Sequence, residues 1–240
     1  MALSSTPASA TERQPVLEFR SACLPDDTGM PTRPVDLTLP PGSLTLIDTG
    51  DRANAAAIAD AAVGLLPPLT GRVLFLGRDW TQTAPLHANA MRGRIGHGFA
   101  TGNWLTDVDM LENILLPHLY HTRRSADDLR EEAARLAAMF GLPGLPLGDP
   151  RNVGEGDRLR AACVRAFLGR PKLIILEHVA GALLPAFIEP LINAVRAARD
   201  REAAVLWLTA ERDVWSDASI PADAWHRLRG GALHRVARGA

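Results

Sequence analysis

Apolar positions fall into short dense runs separated by helix-forming stretches. Val16–Phe19 is a short strand, and Val35-Asp-Leu-Thr-Leu39 alternates apolar and polar as a half-buried strand does. Beyond Pro40-Pro-Gly42, Ser43–Ile47 reads as a buried strand. The alanine-rich run from Ala53 to Leu66 follows as a helix ended by Pro67-Pro68, and Arg72–Leu76 as the next strand. Residues of about 80–150 are more helical. Within them Ser125-Ala-Asp-Asp128 opens a helix with a capping hydroxyl and an acidic first turn, running to about Phe140 before the break at Gly141–Pro146. A helix from about Gly156 to Leu168 precedes the apolar strand Lys172–Leu176, and helix 185–199 precedes the buried strand Ala203–Thr209. In the tail, Gly230-Gly231 between two alternating runs is a hairpin signal. Apolar strands alternating with helices predict an α/β domain with a mainly parallel sheet covered on both faces. Residues 1–14, rich in Ser, Thr, Ala and Pro, read as a disordered leader. The domain is then 15–240, with a helical subdomain at about 100–165.

Composition narrows the function classes. Of 240 residues 47% are hydrophobic, enough for a substantial core, and the net charge of −1 gives no basic field for nucleic acid. Cys23 and Cys163 have no metal or redox spacing and read as reduced structural thiols. No apolar stretch is long enough to span a bilayer, and no charged start followed by an apolar core marks a signal peptide. A role at a membrane therefore needs another subunit to do the spanning.

Strand, turn and helix at 43–66 are the layout in which a phosphate-binding loop occurs. Three later segments carry a more specific likeness. They are Leu65-Leu-Pro-Pro-Leu-Thr-Gly-Arg-Val-Leu-Phe-Leu-Gly77, Thr101 to Pro117 (TGNWLTDVDMLENILLP), and Arg160 to Leu176 (RAACVRAFLGRPKLIIL). Over about residues 16–236 their order and spacing resemble the ATP-binding domains of ABC transporters. The segment opening at Thr101 is particularly similar to the ATP-binding subunits of Mla/Mce-type lipid transporters. The resemblance implies a P-loop NTPase-like fold with an N-terminal antiparallel β part and a helical subdomain. It also implies ATP and Mg²⁺ as ligands, a membrane permease as partner, and a dimer, with itself or with another ABC ATPase. The location it implies is peripheral, on the cytoplasmic face of the inner membrane.

Against that pattern the residues for ATP chemistry are replaced. Counting back from Gly71, the phosphate cradle falls on Thr49, Gly50, Asp51, Arg52, Ala53, Asn54, Ala55 and Ala56. Ala55 stands at the lysine position and Ala56 at the Mg²⁺-binding hydroxyl position, while Thr49, Arg52 and Asn54 occupy glycine positions where the backbone should approach phosphate. Asp48 and Asp51 add negative charge where an anion should sit. The Walker B pair is Glu177-His178. It reads either as a substitute metal ligand and general base or as strand caps in an abandoned site. The Q-loop glutamine position is Ala100, the D-loop aspartate position Leu184 and the switch-histidine position Ala210. The signature is Val153-Gly154-Glu155-Gly156-Asp157, which sets Glu155 against a γ-phosphate. With P-loop and signature both altered, neither site of a dimer would be intact. No catalytic residue and no cofactor is therefore expected, and ATP and Mg²⁺ enter by resemblance alone.

Three functions stay open: a non-hydrolysing structural or regulatory subunit docked on a permease, an active ATPase using Arg52, Glu177 and His178, and a repurposed soluble binding module. Trp104, Leu105, Val108, Met110 and Leu111, beside the Q-loop position, are expected to form an apolar anchor for a membrane subunit, with core packing as the other reading. His118 and His121 read as a surface pair without the further ligands of a metal site, and Arg158, Arg160 and Arg165 as a solvated helix face.

Overall fold

A computed structural model describes residues 13–25, 29–30, 32–99, 103–179 and 187–238. Most of the leader, Ala100 and Leu184 lie outside the described residues. Two sheets organise the chain. Strands β1 (Leu17–Cys23), β2 (Val35–Leu39), β4 (Thr70–Phe75) and β5 (Arg78–Asp79) form an antiparallel sheet in the order β2-β1-β4-β5. Strands β3 (Leu44–Asp48), β6 (Ile95–Phe99), β7 (Leu173–Glu177), β8 (Ala204–Thr209), β9 (Ala224–Arg229) and β10 (Ala232–Val236) form the second, ordered β10-β9-β3-β8-β7-β6. All its pairings are parallel except the β9–β10 hairpin. Its central strands bury both faces, which is why β7 and β8 read as continuous apolar runs.

Helix α1 (Arg52–Ala62) covers one face, packing Ala55, Ile58 and Ala59 with Ile47, Ile175 and Leu206. The opposite face carries α3 (Met110–His121), α4 (Ala126–Met139), α5 (Glu155–Phe167) and α6 (Ile188–Asp200), which share a core with Leu46, Ile174 and Leu176. Short helices α2 (Pro85–Arg92) and α7 (Arg212–Ser216) complete the set.

Helix α1 stops at Ala62 rather than Leu66, and the prolines do not end it. Gly64 takes φ +70° and Leu65 N–H closes onto the Asp60 carbonyl at 2.8 Å, so the turn forms before Pro67 is reached. Strand β6 was not predicted, because its sequence Ile-Gly-His-Gly-Phe has little strand propensity. Its glycines have a packing reason: a Cβ on Gly96 would lie 1.8 Å from the Ala166 carbonyl oxygen of α5. Helix α3 runs through Pro117 to His121, one turn beyond the proline.

Candidate functional site: the carboxyl ends of the parallel strands

The turn from β3 into α1 is held by the chain's own carboxylates. Asp51 caps α1, accepting from Asn54 N–H at 2.7 Å and from the Asn54 side-chain amide at 2.8 Å. Asp48 accepts from Gly50 N–H at 3.1 Å and from Arg227 Nε at 2.9 Å; Arg227 lies opposite it in the β3–β9 register. Buried Thr49 donates its N–H to the Thr209 carbonyl at 2.8 Å and its hydroxyl to the Asp51 carbonyl at 2.9 Å. Helix starts bind anions because free N–H groups point along the dipole. Here an internal anion, Asp51, already takes that place. Ala53 and Arg52 are exposed, Ala56 is half-buried, and Ala55, expected at the lysine position, is buried in the core.

At the end of β7, Glu177 Oε2 lies 3.2 Å from His97 Nε2 on the neighbouring edge strand, and His97 stacks on Phe99. His97 was missed by sequence reasoning because β6 was. Asp60 of α1 sits near this pair. Its carboxyl is raised above the ordinary value by burial first, with His97 opposing and Glu177 reinforcing the shift. His178 is 3% exposed at φ +52°, in the left-handed region, and its Nε2 has no hydrogen-bond partner among the described residues. Its Nδ1 is 3.9 Å from Glu211 Oε1. Burial depresses the His178 pKa; Glu211 pulls it up, Arg52 down, and Glu177 and Asp51 up. Ala210 is exposed and carries no titratable group. The next residue, Glu211, provides the carboxylate, anchored by accepting at Oε2 from Thr209 Oγ1 at 3.3 Å.

The residues expected as the signature, 153–157, lead into α5. Val153 is half-buried and Gly154 is the N-cap without a side-chain cap bond; Glu155 and Asp157 fill the first turn beside Gly156, and Asp157 pairs with Arg160 at 3.1 Å. Arg165, expected on a solvated face, is instead packed between rings, 4.4 Å from the Trp104 centroid and 5.9 Å from that of Phe99. Burial lowers its pKa to about 10.

The expected apolar anchor divides. Leu105 is 51% exposed, and Trp104 and Val108 are half-buried. Met110 and Leu111, at 0% and 9%, open α3 facing the core and are corrected to packing residues. Asn113 holds the preceding loop: its side-chain amide donates to the Leu105, Val108 and Asp109 carbonyls at 2.9–3.0 Å, and its Oδ1 accepts from Leu105 N–H at 2.9 Å. A cavity of about 320 Å³ adjoins this loop, bounded by Phe99, Leu105, Leu116 and Arg165. Exposed Leu116, Leu119 and Tyr120 extend the apolar character along α3. His118 and His121 are half-buried, and no group of metal-ligating residues occurs among the described residues.

This two-sheet frame coincides with solved structures over almost its whole length. The dimeric, post-hydrolysis structure of the ATP-binding cassette MJ0796 bound to ADP and Pi superposes with a TM-score of 0.80 at 18% identity, covering 92% of this chain and 98% of that one. An ATP-binding subunit of an ABC transporter does so at 0.79 and 17%, over 94% and 95%. The fold is that of an ABC ATPase domain. No protein-family model matches the chain. Sequence relatives support the same family. The methionine import ATP-binding protein MetN of Mannheimia succiniciproducens is 27% identical over 181 residues, 75% of this chain and 52% of that protein. The "Probable ribonucleotide transport ATP-binding protein mkl" of Mycobacterium tuberculosis is 25% identical over 169 residues, 69% and 47%. The macrolide export ATP-binding/permease protein MacB of Rhodopirellula baltica is 33% identical over 118 residues, 48% and 17%. The chain thus spans about half the length of its methionine-import relatives. No helix among the described residues is long and apolar enough to cross a membrane.

Proposed function

We propose that this ABC ATPase domain serves as a non-hydrolysing structural or regulatory subunit, docked on a membrane permease at the cytoplasmic face. The observation that carries this reading is the self-capped turn: Asp51 takes the Asn54 N–H and Asp48 the Gly50 N–H, with alanine at both positions that should hold phosphate and Mg²⁺. A triphosphate entering there would displace two carboxylates and meet their charge without a lysine to offset it. Glu177 is engaged by His97, away from metal binding. The docking part of the reading rests on exposed Leu105 and the apolar stretch of α3 that continues from it. A dimer, with itself or with an intact ATPase, belongs to the same proposal by analogy with the dimeric neighbour. A lipid cargo rests only on the likeness of Thr101–Pro117 to Mla/Mce-type subunits. The relatives found are named for methionine, ribonucleotide and macrolide transport.

Calorimetric titration of the purified chain with Mg·ATP to millimolar concentration tests the central claim. No binding is expected. Micromolar binding, with turnover abolished by Glu177→Gln, would establish the second reading, an active divergent ATPase. The observation favouring that alternative is the unpartnered Nε2 of buried His178, next to Glu177 and near Arg52.

A further inference from the structure

At the opposite end of the parallel sheet from the β3–α1 turn lies a concavity of about 870 Å³. Its position follows from the topology: Arg94 immediately precedes β6, Arg170 lies just before β7, and Arg201 ends α6 just before β8. These three residues bring guanidinium groups to the amino-terminal strand ends, and α4 with the preceding loop adds Arg124 and Arg135. Five guanidinium groups thus line one groove with a single carboxylate, Glu132, on a chain whose net charge is −1. Arg124 is paired with Glu132 at 2.6 Å and Arg135 with Glu131 at 2.8 Å. The side chains of Arg94, Arg170 and Arg201 make no hydrogen bond or ion pair among the described residues.

The walls are fixed rather than loose. Gly169, at φ +76°, turns against α3 so closely that a Cβ would lie 2.6 Å from the His118 ring, and its N–H donates to Glu132 Oε1 at 3.0 Å. Leu136, exposed Met139 and Phe167 supply an apolar lining beside the arginines. Planar guanidinium forks match phosphate oxygens two at a time. The volume is that of a small-ligand site.

We propose that this groove binds a phosphate ester bearing an apolar group. Arg94, Arg170 and Arg201 hold the phosphate, and the Leu136–Met139 surface receives the remainder. The site is independent of the β3–α1 turn and of the reading proposed for it. Its ligand has two sources, a soluble organophosphate or the headgroup of a phospholipid.

The test uses the full chain, with inorganic pyrophosphate by calorimetry and with vesicles of phosphatidylcholine alone or mixed with phosphatidylglycerol by co-sedimentation. Pyrophosphate binding that weakens at least about tenfold in an Arg94→Ser/Arg170→Ser/Arg201→Ser variant, and falls with added salt, supports the site with a soluble ligand. Co-sedimentation with phosphatidylglycerol vesicles only, lost in the same variant, supports it with a headgroup. The single reversal Arg170→Glu gives the same readout should the triple variant fold poorly. Absence of both interactions in the native chain overturns the proposal. So does binding unaffected by these arginines, or binding abolished by Arg52→Ala, which would put the anion at α1.

Discussion

Replacing Asp51 with alanine tests whether the β3–α1 turn is held by an internal anion. The carboxylate accepts two hydrogen bonds, from Asn54 N–H and from the Asn54 side chain, and lies at the positive end of an eleven-residue helix. Loss of an aspartate N-cap costs roughly 1 kcal/mol, and the charge–dipole attraction adds about 0.3–1 kcal/mol at an exposed site. The side-chain bond is exposed and contributes little. The sum, about 1–2 kcal/mol, is readable as a shift of the urea midpoint with unchanged slope. The substitution also frees the Asn54 N–H and removes one negative charge, which leaves the helix start open to an external anion. Inorganic phosphate at ten times its dissociation constant would return about 1.4 kcal/mol. Phosphate should therefore stabilise Asp51→Ala more than the native chain, and taking that difference cancels any contribution from the arginine groove or from general salt effects. A variant as stable as the native chain, or one gaining no more from phosphate than it does, refutes the idea that Asp51 holds the anion position.

Other substitutions read other parts of the molecule. Asn113→Ala strips the loop before α3 of all four side-chain bonds at a buried position, and should cost about 2–4 kcal/mol in urea unfolding. Leu105→Asp, at a half-exposed position, should leave stability within about 0.5 kcal/mol while reducing co-purification with a membrane subunit. Complex formation equal to that of the native chain removes Leu105 from the docking surface. His118, His121, His178 and His226 all have pKa values lowered below 6.5, burial being the largest cause in each. The unfolded chain therefore binds more protons below that pH, so stability present above about 6.5 is lost as pH falls towards the folded values. His178→Gln should make the decline shallower between pH 7 and 5, and an unchanged slope would exclude His178 from it.

Legibility in the sequence follows how local each signal is. Strands β2, β7 and β8, and the Ser125 cap of α4, depend on nearby residues and were predicted within a residue or two. Strand β6 escaped because its glycines exist to admit α5, a contact sixty-eight to seventy residues away, and His97 was lost with it. Met110 and Leu111 look like an exposed anchor by composition, yet the phase of α3 turns both inward. Arg165 appears solvated in a charged helix, but Phe99 and Trp104, on other elements, enclose it. The β3–α1 turn carries Asp48 and Asp51 plainly in the sequence. That its carboxylates satisfy the backbone donors themselves required coordinates.

The carboxyl ends of the parallel strands are joined by side-chain contacts that run from one strand to the next. Side chains here meet one another across strands: Asp48 with Arg227 from β3 to β9, and Glu177 with His97 from β7 to β6. His178 faces Glu211 across the ends of β7 and β8, and Thr49 ties β3 to β8 through the Thr209 carbonyl. These contacts sit above a packed core, which α1 joins through Ala55, Ile58, Ala59 and Ala62. Internal partners remove the cost of leaving polar groups at the strand ends unpaired. The same partners would oppose a phosphate or metal at these positions, since each contact must be broken before one could take its place. Placing lysine at position 55 alone should accordingly leave the same calorimetric titration without nucleotide binding, because Ala55 is buried in the core and Asp51 already caps the helix start.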